Sequence, residues 1–195
     1  MYIRLKKVKK GKGSVYEYAH LVEGVWKKRK QIKEEIQGPK FRRFNNSTHK
    51  YIRFLGRVYH FEEDLMRGDQ DLKDFENLIK NLSVKELYYI LIGNILLSRG
   101  FIKKENAFFN GDFSVDLNSF TIRRLDQEVV LKLLKRGGYL CKYSLEELFK
   151  VDRVNNREEG LFFMKKLKMV GIELNANLFF ILVSKLLKES NKPEN

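Results

Sequence analysis

Cysteine and proline are almost missing from this chain. Cys141 is the only thiol, so no internal disulfide can close and no zinc site can rest on paired thiolates. It reads as a small buried hydrophobe. Pro39 and Pro193 are the only prolines. The three histidines, His20, His49 and His60, have no metal-ligand spacing and no acidic cluster beside them, so they read as structural or solvent-facing. Long apolar runs are missing too. Residues 87–97 and 178–183 are the longest, well short of the roughly twenty needed to span a bilayer. The first twelve residues are basic and alternating, without the apolar stretch of a secretion signal. These absences predict a soluble, cytoplasmic protein without membrane contact. Nucleotide-binding glycine loops and nucleophile elbows are also lacking, and Gly11-Lys12-Gly13 alone is a turn. No cofactor, metal or catalytic residue is expected.

What is there is positive charge, placed at one end. Residues 1–60 hold seventeen Lys and Arg against four Glu, and 61–195 hold twenty-two basic against twenty-one acidic residues. Nearly all of the formal +14 is therefore amino-terminal. A polyanion suits such a module, because neutralising phosphates releases condensed counterions. The 43% of hydrophobic residues is enough for a real core and argues against general disorder.

Residues 2–9 (Y-I-R-L-K-K-V-K) suggest a strand, K-G-K-G-S at 10–14 a turn, and 15–22 (V-Y-E-Y-A-H-L-V) a second strand. Its alternation puts Tyr16, Tyr18 and His20 on one face and Val15, Ala19 and Leu21 on the other. Glu23-Gly24-Val25 reads as a hairpin turn, 25–33 as a third strand, 37–50 as a mobile basic loop, and 51–59 as a fourth strand with Gly56 marking a bulge. Residues 61–82, acidic at their start, read as a linker helix.

Ser83 and Glu86 form a capping box for a helix over 83–99, stopped at Gly100 and apolar almost all round. Residues 113–133 read as a hairpin, with Asp126-Gln127 as its turn, and Gly137-Gly138 ends the region. Ser144 and Glu147 form a second box opening a short helix. Helices over 157–170 and 175–189 follow. The expected fold is α+β: a small basic antiparallel sheet (1–60), the acidic linker (61–82), and a mainly helical domain with a central β-hairpin (83–195).

The candidate phosphate contacts are Arg4, Lys6, Lys7, Lys9, Lys10, Lys12, Lys27, Lys28, Arg29, Lys30, Arg42, Arg43, Lys50, Arg53 and Arg57. Adjacent strands stack such residues at about 5 Å, where like charges repel unless an anion covers them. Tyr16, Tyr18 and Trp26 read as the module's small core, against Tyr2 or Phe54; on an exposed face they would instead stack on unpaired bases, at roughly 1–3 kcal/mol each. Asp112, Asp116, Asp126 and Glu128 flank the central hairpin. Asp112 and Asp116 share a strand face about 13 Å apart, too far for one metal.

The order of a basic opening strand, V-Y-E-Y-A-H-L-V-E at 15–23, a Lys/Arg-rich strand and K-Y-I-R-F-L-G-R-V at 50–58 resembles the N-terminal segment of IS4-like insertion-sequence transposases, and short uncharacterised archaeal proteins that begin the same way. The resemblance implies DNA contact by Arg4, Lys6, Lys7, Lys27, Lys28, Arg29, Lys30, Lys50, Arg53 and Arg57. It covers about a third of the chain. V-D-L-N-S-F-T-I at 115–122 is faintly similar to the first catalytic strand of those enzymes. No second Asp-bearing strand or suitable Glu follows, so transposase activity is not implied.

The function expected is therefore largely sequence-independent nucleic-acid binding through the phosphate backbone, with DNA favoured over RNA. Two alternatives stand beside it: a metal-dependent nuclease or nuclease subunit using Asp112, Asp116 or Glu128, and an RNA-binding protein of a ribosome or other ribonucleoprotein. Residues 83–195 are expected to supply a protein contact or a homodimer interface.

Overall fold

A computed structural model of the chain describes residues 1–26, 47–61, 79 and 81–190. It divides into two units, Met1–Arg57 and Val58–Asn195.

The first unit is an antiparallel sheet of β1 (Tyr2–Lys9), β2 (Val15–Trp26) and β3 (Ser47–His60), whose last residues, 58–60, belong to the second unit. A short 3₁₀ turn, Gly11–Gly13, joins β1 to β2, and the Lys10 N–H donates to the Ser14 carbonyl at 2.9 Å. The expected turn at Glu23-Gly24-Val25 does not form. Those residues continue β2, opposite Lys50, His49 and Thr48 of β3. A neighbouring strand that takes up backbone hydrogen bonds outweighs the turn preference of one glycine. The third strand expected over 25–33 thus loses 25 and 26 to β2, and the rest of it lies outside the described residues. The same holds for the basic loop, except that residues 47–50 open β3.

Two register shifts interrupt the β2–β3 pairing, between Ala19 and His20 and between Leu21 and Val22. They leave one extra residue on β3 at each place, as β-bulges do. Gly56, at φ 127°, sits at the first of them opposite Ala19, where a side chain would be strained.

The second unit contradicts the expectation of a mainly helical domain around one hairpin. It contains a five-stranded antiparallel meander: β4 (Ile102–Lys104), β5 (Ala107–Asn110), β6 (Phe113–Asp116), β7 (Thr121–Arg124) and β8 (Gln127–Lys132), each paired with the next. Strand β9 (Tyr139–Leu140) pairs with β8. Described strands therefore number nine against four helices, and the fold is α+β with far more sheet than expected. Strands of three or four residues are too short for alternation to register. Three of their turns place a non-glycine residue in the left-handed region, Glu105 (φ 51°), Phe120 (φ 53°) and Leu125 (φ 53°), residues that carry no turn signal of their own.

The helices are α1 (Val84–Ser98), α2 (Lys142–Phe149), α3 (Arg157–Val170) and α4 (Ala176–Ser190). Helix α1 opens on the expected box: the Glu86 N–H donates to Ser83 Oγ at 3.3 Å, and the Ser83 N–H donates to Glu86 Oε2 at 2.7 Å. Its Leu87, Tyr88, Ile92 and Leu96 are buried in one apolar cluster with Val115, Ile122 and Leu131 of the sheet, Phe163 of α3 and Leu182 of α4. Tyr88 satisfies its buried hydroxyl by donating to the Val151 carbonyl at 2.7 Å.

Helix α2 starts earlier than its sequence suggests. Cys141, buried, is the N-cap, and Ser144 stands inside the first turn. Ser144 Oγ accepts from the Cys141 N–H and donates to the Cys141 carbonyl, both at 2.9 Å. Glu147 is then free to hold Lys150, at 2.7 Å, and the buried Lys166 of α3. Burial raises the Glu147 carboxyl, but the hydrogen bonds and charges of those lysines outweigh it and hold it below the usual range.

Candidate nucleic-acid interface

Strand alternation divides the first unit's side chains between two faces. Register on β1 and β2 pairs Arg4 with His20, Lys6 with Tyr18, and Val8 with Tyr16 on one face; it pairs Leu5 with Ala19, Lys7 with Glu17, and Lys9 with Val15 on the other. On β3, Tyr51, Phe54 and Arg57 fall opposite Val22, His20 and Tyr18, so all three join the first face. They stand three residues apart, and strict alternation would send successive ones to opposite sides. The two bulges bring them together.

That face is aromatic and cationic. His20 packs between Tyr51 and Phe54, with ring centroids 5.7 and 5.5 Å away. Tyr18 lies 5.9 Å from Phe54, and Tyr2 lies 5.8 Å from His49. Tyr2 Oη and His49 Nδ1 are hydrogen-bonded at 2.5 Å. The Arg57 guanidinium sits 4.0 Å from the Tyr16 ring centroid and Lys10 Nζ 5.4 Å from it, both within cation–π range. The rings are open to water: Tyr51 is 57% exposed, Phe54 52% and Tyr2 41%. The unit's buried hydrophobic residues, among those described, are Ala19, Leu21 and Val22, of which Ala19 and Leu21 point the other way. Tyr16 and Tyr18, expected as core against Tyr2 or Phe54, are half-buried members of an exposed face instead.

Among the described residues of this unit the acids are Glu17 and Glu23, both on the opposite face, in register with Lys7 and Lys50. Lys7 Nζ meets Glu17 at 3.2 Å. Burial and the Lys6 charge both lower the His20 pKa from its ordinary 6.5, so the ring is held neutral against the face's positive field.

Of the candidate residues, the geometry gathers Arg4, Lys6, Tyr16, Tyr18 and Arg57 on one face, with Lys10 at its rim. It sends Lys7, Lys9, Lys50 and Arg53 to the other. Lys12 is placed by its backbone in the 3₁₀ turn, and Trp26 by its backbone at the end of β2. Lys27, Lys28, Arg29, Lys30, Arg42 and Arg43 lie outside the described residues. Sequence reasoning missed Tyr51 as a site residue and read Phe54 as core. The spacing of three ahead of and across Gly56 was the available signal.

In the second unit, two of the carboxylates considered for metal catalysis hold structural hydrogen bonds. Asp116 accepts from the N–H of Asn118 at 2.8 Å and from Ser119 Oγ at 2.8 Å. Burial raises its pKa, and these hydrogen bonds more than reverse that. Asp112 accepts from Arg124 at 3.3 Å, and Glu128 stands in register with Arg123. Among the described residues no group of three or more His, Cys, Asp or Glu could hold a metal ion, and no helix is long and apolar enough to cross a membrane. Compared with known families, curated proteins and solved structures, the chain matches none.

Proposed function

We propose that this protein binds nucleic acid through the exposed face of its amino-terminal sheet, largely without regard to sequence. The observation that carries the reading is a face bearing the exposed Arg4 and Lys6, with Lys10 at its rim and no carboxylate among its described residues. Lysine and arginine aligned at strand spacing repel one another, and a phosphate backbone relieves that repulsion while releasing its own counterions. Phosphate contacts fix position and carry little sequence information.

Titrating a mixed-sequence oligonucleotide at several salt concentrations tests this. The plot of log affinity against log salt should fall with a slope of roughly −4 to −7, the value for about five to eight neutralised phosphates. Replacing Arg4 and Lys6 together by Ala should make the slope shallower by roughly 1 to 2 and weaken all sequences alike. A flat salt response removes the electrostatic reading.

A further inference from the structure

Deepening that reading, and resting on it, we infer that the ligand is an unpaired strand whose bases stack on Tyr18, Tyr51 and Phe54. A duplex offers a sheet only its backbone and groove edges, and it gives exposed aromatic rings nothing to lie against. A single strand offers both phosphates and base faces, and every base has a π-face. The sheet presents the matching pair of chemistries side by side. Arg4 and Lys6 on β1 border Tyr18 and His20 on β2, which border Phe54 and Tyr51 on β3.

The rings are also disposed to accept a base. Their mutual contacts are tilted, at 44° for Tyr18–Phe54, 60° for His20–Tyr51 and 58° for His20–Phe54, so no neighbour within the set lies flat over another. Tyr51 and Phe54 are more than half exposed. In a sheet with one buried face, alternation would normally turn one of them inward. The bulge that avoids this is the kind of local irregularity that re-aims a side chain.

The test compares the full chain's affinity for a single-stranded oligodeoxynucleotide, the same sequence as RNA, and the corresponding duplex, at each of several salt concentrations. Single strands should bind at least tenfold more tightly than duplex. A difference between the two single strands identifies the sugar preferred and leaves the stacking mode supported. Phe54→Ala and Tyr51→Ala should each lower single-strand affinity about 5- to 150-fold while leaving the salt slope unchanged, since no charge is removed. Phe54→Trp should retain binding, which separates lost stacking from a misfolded sheet. Equal affinity for duplex and single strand, with a steep salt slope, overturns stacking and leaves the phosphate reading standing. Absence of binding to all three overturns both.

Discussion

At the scale of single residues, the informative group is His20. Its imidazole lies between Tyr51 and Phe54, in register with Arg4 and near Lys6. Burial first, and the Lys6 charge second, lower its pKa. The folded state therefore holds it neutral at a pH where the unfolded chain already takes up a proton. Stability contributed by the neutral ring is present above the ordinary value of 6.5 and is lost as pH falls below it. Under the proposed binding the sign reverses for the complex: a phosphate near the ring would favour the imidazolium, so nucleic-acid affinity should rise as pH drops through the same region. His20→Gln should flatten both pH profiles, read as the urea midpoint of the free protein and the dissociation constant of the complex. A wild-type affinity that is insensitive to pH would place His20 away from the phosphates. No motif flags this residue. Its role depends on which rings of a distant strand surround it.

Among the elements, legibility follows how local the determining contacts are. Helix α1 was readable because both halves of its capping box lie within one turn. Helix α3 was readable from its apolar spacing and its stop at Gly171 (φ 97°). Helix α2 carried an equally good box at Ser144 and Glu147, yet starts at Cys141, with Ser144 bonded back to it from inside the first turn and Glu147 paired with Lys166 on a different helix. The strands of the meander were legible only in part, since three or four residues cannot display a period.

Gly171 gives the element-scale prediction. A Cβ there would fall 2.9 Å from the Cβ of Leu133, on a left-handed backbone. Its neighbour's Ile172 N–H closes the helix by donating to the Leu167 carbonyl at 2.9 Å. Gly171→Ala should cost about 2–4 kcal/mol, from left-handed strain and overpacking together, measured by chemical denaturation. A loss under half of that would mean Leu133 yields easily.

For the whole molecule, the proposed binding belongs to the first unit, where the positive charge is concentrated. Lysine acylation followed by mass spectrometry gives the expected outcome most directly. With saturating oligonucleotide, Lys6 and Lys10 should lose reactivity, while Lys103 and Lys104 of β4 and Lys165 of α3 keep theirs. Protection spread evenly over both units would sink the assignment of binding to the first. The concentration of Lys and Arg before residue 61, the alternation of β1 and β2, and the caps of α1 and α3 were determined by the sequence alone, because each depends on composition or on neighbours a few residues away. Which cations share a face with which rings was decided only by tertiary structure. Tyr51, Phe54 and Arg57 meet Tyr18 and His20 through two bulges in a long-range strand pairing, and a one-residue insertion in register inverts every side chain beyond it.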